Sequence, residues 1–190
     1  MKTIFTLITI LSFLFLNAQN QYDKGTLYLK DSTELEGLIK VKIKINFSNV
    51  KKPIFILKFK INKDSKPSSY NSNLVNGFDI KDEKFRFIKH KNNFAPELLI
   101  EEIKGKISLY RSKPQIISSF QTIGTGNTQT MIPNLFYMKV DNKIITIGTH
   151  ISKKHLVFFK DCPELINKIK NKEFKRKEIF KIINFYNNCN

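Results

Sequence analysis

The three histidines are the side chains whose pKa best suits acid–base or metal chemistry near neutral pH. His150 and His155 are five residues apart in the sequence. On a helix they would not share one face, as metal-binding histidines spaced four residues apart do. His90 lies at the end of a lysine-rich stretch. This spacing predicts ordinary polar or half-buried histidines, with no metal site and no cofactor.

Acidic residues are sparse, and their spacing does not give a facing pair of carboxylates. Glu101 and Glu102 are adjacent in a predicted strand, where successive side chains point to opposite faces. The sequence has neither a Gly-x-Ser-x-Gly elbow nor a P-loop, so we predict a non-enzymatic protein with no catalytic residue. The alternative is an enzyme with a dispersed active site. It would be assembled from residues such as Glu101, Tyr110 and His155, which sequence spacing does not connect.

Basic residues are abundant, with 33 Lys and Arg against 16 Asp and Glu and a formal charge of +17. Over residues 39–45 apolar side chains alternate with lysines, which predicts a strand with one buried face and one lysine-coated face. This strand and the residues after it contain the most concentrated basic patch, which is our candidate binding face: Lys40, Lys42, Lys44, Lys51 and Lys52.

Basic residues interleaved with aromatic ones are typical of proteins that bind single-stranded nucleic acid. Here the alternation directs the neighbouring aromatic residues largely to the core: Phe47, Phe55 and Phe59. Only three basic residues are arginines, whose planar guanidinium suits base and phosphate recognition. The sequence therefore disfavours a nucleic-acid partner. The lysines are then either a solvated surface or a surface for another anionic partner.

The first residues have the pattern of a secretory signal peptide. Met1-Lys2 is a short positive start, Ile4–Leu16 is apolar, and Ala18 is a small residue before the chain turns polar. We predict a signal peptide over residues 1–18 with cleavage after Ala18. No apolar run reaches the roughly 18–20 residues of a membrane-spanning helix. We therefore expect an exported protein of the periplasm, the cell envelope or the extracellular space.

Both cysteines lie in the predicted mature chain, and two cysteines in an exported protein form a disulfide more often than a metal site. Asp161 is the predicted cap of a helix over residues 163–172, and a second helix is predicted over Lys175–Asn187. If the two helices are antiparallel, Cys162 and Cys189 occupy adjacent ends. We therefore predict a Cys162–Cys189 disulfide, with two unrelated thiols as the alternative.

The body of the chain has the apolar periodicity of β-strands from Lys24 to about Ile147. Tight hairpins are predicted at Asp31-Ser32 and at Asp141-Asn142, and residues 63–73 are predicted to be an exposed loop. After Gly148 the periodicity becomes helical.

These patterns predict an α+β fold, with an antiparallel β-sheet or small barrel followed by about three C-terminal helices. The predicted domain organisation is a signal peptide at 1–18 and a single β-rich domain at 19–190. The C-terminal helical segment of that domain covers about residues 149–188.

Several short motifs follow one another along the chain. They are Gly25-x-Leu27, Asp31, Glu36-Gly37-x-Ile39, Gly77-Phe78, Gly105-x-x-x-Leu109-Tyr110, Asp161-Cys162-Pro163 and Tyr186-Asn187-x-Cys189. In this order they resemble a group of uncharacterised exported proteins of Bacteroidetes-type bacteria. The resemblance implies an exported β-rich domain with a helical, cysteine-linked end, and it implies no catalytic residue. This chain departs from the group at Ser32, where the group usually has glycine, so the type of turn stays open.

Taken together, the export signal and the lack of a catalytic constellation predict a non-enzymatic domain that works by binding. The expected partner is an envelope protein or an anionic envelope component. An enzyme with a dispersed active site and a basic polyanion or nucleic-acid binder are the two alternative functions.

Overall fold

The computed structural model describes residues 22–44, 54–90, 96–113, 115–119, 128–132 and 134–189. The predicted signal peptide at 1–18, and Lys51 and Lys52 of the candidate binding face, lie outside these residues. The chain divides into two compact units, an N-terminal unit, Met1–Asp82, and a C-terminal unit, Glu83–Asn190. Within the described ranges, no helix is long and apolar enough to cross a membrane.

The N-terminal unit is an antiparallel sheet of five strands in the order β5-β1-β2-β3-β4. The strands are β1 Asp23–Leu29, β2 Glu34–Lys44, β3 Ile54–Lys60, β4 Ser68–Tyr70 and β5 Val75–Ile80. The strands alternate as predicted. One face supplies the core, with Leu27, Ile39, Leu57, Phe59 and Phe78 all at most 3% exposed.

A tight turn joins β4 to β5. The backbone oxygen of Asn71 accepts hydrogen bonds from the N–H groups of both Leu74 (3.0 Å) and Val75 (3.2 Å). The last residue of β4 therefore lies within a turn of the first residue of β5.

The prediction of an exposed loop over residues 63–73 is wrong in one part, since β4 lies inside it. The three residues of β4 pair with Leu57–Phe59 of β3. The segment Ser68-Ser-Tyr70 has no apolar alternation of its own, so its extended form depends on pairing with β3.

The hairpin between β1 and β2 turns at Asp31-Ser32, as predicted. The Leu29 N–H donates to the Thr33 oxygen (2.8 Å), and the Asp31 carboxylate accepts the Thr33 N–H (2.9 Å). That hydrogen bond lowers the pKa of Asp31. Ser32 adopts φ 71°, in the left-handed region that glycine enters without steric cost. A glycine at this position would therefore fit the turn better than serine does.

The C-terminal unit contains five antiparallel strands in the order β12-β11-β8-β7-β6. Its strands are β6 Glu83–Ile88, β7 Glu97–Ile103, β8 Ile107–Arg111, β11 Phe136–Val140 and β12 Lys143–Gly148. The predicted tight hairpin at Asp141-Asn142 joins β11 to β12. Strands β9, Gln115–Ser119, and β10, Thr128–Ile132, form a separate two-stranded sheet. The sequence analysis did not predict β10.

Three helical segments follow the last strand: a 3₁₀ helix, Lys153–Phe159, α1, Pro163–Lys170, and α2, Ile179–Asn187. Cys162 is the N-cap of α1, so the prediction of Asp161 as the cap is wrong by one residue. The helix starts there because Pro163 occupies its first turn, where the missing N–H costs nothing. Helix α2 begins later than the predicted Lys175. A turn precedes it, in which the Lys175 N–H donates to the Glu178 carboxylate.

The helices pack on one face of the five strands of the C-terminal unit. Ile107, Leu109 and Met138 of the sheet share a core with Phe159 and Leu165 of the helical segment. The predicted α+β fold, an antiparallel sheet followed by about three C-terminal helices, is confirmed. The predicted Cys162–Cys189 disulfide is also present, with 6.0 Å between the two Cα atoms.

Candidate functional site

The pairing of β2 with β3 places four lysines on one face of the N-terminal sheet. Lys40 lies opposite Lys58, Leu38 opposite Lys60, and Lys42 opposite Ile56. Alternate residues of a strand share a face, so the four lysines lie on the side that does not form the core. We call this surface the cationic face: Lys40, Lys42, Lys58 and Lys60.

An aromatic ring lies within the cationic face. The Nζ atoms of Lys40 and Lys60 lie 5.9 Å and 5.5 Å from the ring centre of Tyr22, within the range of cation–π attraction. The Tyr22 ring therefore lies close to two of the ammonium groups of this face.

Two of these lysines are held by neutral acceptors. Lys58 Nζ donates to the Ser69 hydroxyl (2.6 Å), and Lys60 Nζ donates to the backbone oxygen of Lys63 (2.9 Å). A hydroxyl and a carbonyl orient an ammonium group without cancelling its charge. The positive charges of Lys58 and Lys60 are thus fixed in position and remain unbalanced by these contacts.

Two acidic residues of β2 lie on this face toward the β1–β2 turn. Glu34 and Glu36 at the start of β2 are exposed. The Tyr28 hydroxyl donates to the Asp79 carboxylate (2.9 Å), so that carboxylate is engaged within the unit. The face therefore has a positive end and a negative end, and an anion would be attracted to the lysine end.

The direct opposition of Lys40 and Lys58 works against folding. Like charges on opposing residues of an antiparallel pair destabilise a sheet, where opposite charges would add roughly 0.2–1 kcal/mol. A bound anion would relieve this repulsion.

The structure describes the side chains of only two of the five lysines of the predicted binding face. Lys40 and Lys42 lie on the cationic face, with Lys42 exposed. The backbone of Lys44 ends β2, and its side chain lies outside the described residues, as do Lys51 and Lys52. The sequence analysis did not include Lys58 and Lys60 in the site. Their alternation with buried Leu57 and Phe59 was the available signal, but only the strand register joins them to Lys40.

Among the residues that the structure describes, features that favour nucleic-acid binding do not gather at this face, and Phe47 lies outside them. Phe59 is 3% exposed and belongs to the core, as the alternation predicted. Two of the three arginines are engaged in ion pairs of the C-terminal unit. Arg86 Nε lies 3.1 Å from a Glu101 carboxylate oxygen, and Arg111 Nε pairs with Glu102. Recognition of an anion at the cationic face would therefore depend on lysine and one tyrosine ring.

The alternative dispersed active site consisted of Glu101, Tyr110 and His155, and the structure places only the first two side by side. Glu101 and Tyr110 are opposed on neighbouring strands. Burial, followed by the Glu101 charge, raises the pKa of Tyr110. His155 lies in the 3₁₀ helix, whose layer packs on the sheet face opposite to Tyr110, and its Nδ1 accepts the Ser152 N–H (3.1 Å). Burial lowers the pKa of His155, which favours the neutral form of its ring.

A second polar cluster of the C-terminal unit was not predicted. His90 Nε2 lies 3.3 Å from a Glu97 carboxylate oxygen, and the His90 ring packs edge-on against Tyr137 at 5.0 Å. Burial, with a further contribution from the Glu97 charge, raises the pKa of Tyr137 to about 12. Its phenol therefore stays protonated and donates to Glu97. In the part of the chain that the structure describes, no three His, Cys, Asp or Glu side chains gather as metal ligands.

An open groove of about 700 Å³ lies beside Cys189 in the helical layer. Its two charged groups already have partners within the protein. Glu164 pairs with Lys168 (3.4 Å), and Lys181 Nζ lies 4.3 Å above the Phe174 ring. The groove therefore does not offer a free acid–base pair, and the cationic face is the stronger candidate site.

No protein family, curated protein or solved structure matches this chain. The fold and the candidate site therefore describe the class of protein: an α+β protein with a disulfide-linked helical end and a cationic sheet face.

Proposed function

We propose that this protein is an exported, non-enzymatic domain of the cell envelope that binds an anionic envelope component at its cationic face. The observation on which this rests is the set of four lysines on one sheet face, two of them close to the Tyr22 ring and two oriented by neutral acceptors. The disulfide supports an oxidising compartment, where such bonds persist. The signal-like N-terminus and the resemblance to exported proteins support the same location.

Lysine-dominated binding has a recognisable physical signature. Each lysine near an anionic surface contributes about 1 kcal/mol, which corresponds to about fivefold in affinity. Exposed charges are screened by salt over about 10 Å at 0.1 M ionic strength. We therefore expect binding that weakens with added salt and that depends on the position of the lysines rather than on the total charge.

The variant Lys42→Gln/Lys58→Gln tests this function. We expect it to bind the envelope fraction of the native host about 25-fold more weakly than the wild type, because two of the four charges are removed. Co-sedimentation of the mature protein with that fraction, at low and moderate salt, gives the affinity.

The matched control is Lys175→Gln/Lys177→Gln, which removes the same charge from exposed lysines of the C-terminal unit. The control should bind within twofold of the wild type. Equal losses in the two variants would mean that only net charge matters. No loss in either would mean that the lysines of the cationic face are a solvated surface.

Export has a separate test, the intact mass of the protein isolated from its host. We expect a chain that begins at Gln19 and two cysteines that resist alkylation until a reductant is added. A full-length mass with two reactive thiols would contradict export. A basic intracellular polyanion binder would then become the better hypothesis.

A further inference from the structure

We infer that the anionic component is the surface of an anionic phospholipid bilayer, which the cationic face and the loop after β3 contact together. This inference rests on the proposed function and specifies its partner. The loop, called the 61–66 loop, contains the most exposed large apolar side chain among the described residues, Ile61, which is 74% exposed.

The 61–66 loop is ordered by its own hydrogen bonds. The Asn62 side-chain oxygen accepts the N–H groups of Asp64 (3.1 Å) and Ser65 (2.9 Å). The Ser65 hydroxyl accepts a hydrogen bond from the Asn62 backbone N–H (3.2 Å) and donates one to the Asn62 backbone oxygen (2.9 Å). Ile61 is therefore exposed on a loop whose conformation is fixed by its own hydrogen bonds.

The loop is joined to the cationic face by chain continuity and by one hydrogen bond. Lys60 is the last residue of β3, and its Nζ donates to the backbone oxygen of Lys63 in the loop. Lys63, Asp64 and Lys66 are all exposed, so the loop places two lysines and one carboxylate near Ile61 and keeps a net positive charge. A flat anionic partner would meet the apolar side chain and the ammonium groups at the same time.

Apolar side chains are also interleaved with the lysines on the sheet itself. Leu38 lies opposite Lys60 and Ile56 opposite Lys42, and both apolar residues are only half-buried. Long lysine stems lie along apolar surface and extend their charge beyond it. This combination matches the boundary between lipid headgroups and acyl chains, where apolar burial and attraction to anionic headgroups add. A soluble polyanion would use the lysines alone.

The magnitudes explain why both parts are needed. Removing one isoleucine side chain from the acyl boundary loses about tenfold in affinity or more, since its full burial contributes roughly 1.5–3 kcal/mol. One apolar side chain alone gives only weak membrane association, and stable docking takes a second signal such as a basic patch. The cationic face supplies that second signal.

The test uses lipid vesicles and an introduced tryptophan as a fluorescent reporter. The chain has no tryptophan of its own, so an introduced one is the only indole in the protein. In Ile61→Trp the single indole reports its own surroundings. We expect its emission to shift to the blue on adding vesicles of phosphatidylglycerol and phosphatidylcholine, and to stay unchanged with pure phosphatidylcholine. Leu74→Trp is the matched control, because Leu74 is the other strongly exposed apolar residue of the N-terminal unit, at 52%. Its emission should not shift.

A second variant keeps the inference falsifiable if the tryptophan perturbs the loop. Ile61→Ser is expected to bind the anionic vesicles about tenfold more weakly than the wild type. It should bind heparin, a soluble polyanion, as the wild type does. Unchanged vesicle binding by Ile61→Ser, or an unshifted indole at 61, would overturn the bilayer inference.

The outcomes separate this inference from the proposed function. Lysine-dependent binding to the host envelope fraction without binding to anionic vesicles would leave the function standing and make its ligand another anion, such as lipopolysaccharide or an acidic protein. Absence of both would overturn both.

Discussion

Replacing Cys162 and Cys189 with serine is expected to lower the free energy of unfolding by about 3–4 kcal/mol. The disulfide joins residues 27 apart in sequence, and it connects the N-cap of α1 to the segment just after α2. In the chain-entropy account, the bridge removes conformations from the unfolded chain that the serine variant regains. Cys162 is fully buried in the core of the helical layer, so the local packing also changes.

Chemical denaturation of three samples separates these contributions: the oxidised wild type, the reduced wild type and the double serine variant. The reduced wild type keeps both sulfur atoms, so its loss relative to the oxidised protein measures the bridge itself. A further small loss in the serine variant would measure the change from sulfur to hydroxyl in the core. If the reduced and oxidised proteins unfold at the same denaturant concentration, the bridge does not stabilise the fold.

The parts of the fold that sequence predicts well are those with strong apolar periodicity. The alternation around Ile39 and Leu57 fixes which side of β2 and β3 is buried, because a shift by one residue would move every lysine into the core. The cysteine pair is predictable because two amphipathic helices of similar length bring their ends together. Strand β4 escapes prediction because its short polar segment becomes extended only by pairing with β3.

The site is less predictable than the fold because it depends on register between strands. The lysine-coated face of β2 follows from sequence, and Lys40 and Lys42 are placed on it. Its completion by Lys58 and Lys60 requires the pairing of β2 with β3, which alternation alone does not specify. The exposure of Ile61 likewise depends on where β3 ends, since one more strand residue would bury this side chain by alternation.

Asn187→Ala is expected to lower the free energy of unfolding by about 2–4 kcal/mol, because it removes a side chain that completes the sheet of the C-terminal unit. The Asn187 side-chain oxygen accepts the Ile107 N–H (2.9 Å), and its nitrogen donates to the Ile107 oxygen (3.0 Å). Ile107, the first residue of β8, is 1% exposed. Alanine would leave both backbone groups without these bonds, and each buried unsatisfied group costs about 1–3 kcal/mol.

Gly105 provides an independent test of the same contact. A Cβ atom built on Gly105 would lie 2.6 Å from the Asn187 Cγ, so only glycine lets the amide approach β8. The contact joins the Gly105-x-x-x-Leu109-Tyr110 segment to the Tyr186-Asn187-x-Cys189 segment. Gly105→Ala should therefore destabilise the wild type but have much less effect in an Asn187→Ala background. Asn184→Ala, an exposed change on the same helix, should stay within about 0.5 kcal/mol of the wild type. Additive losses from Gly105→Ala and Asn187→Ala would show that the two residues act separately.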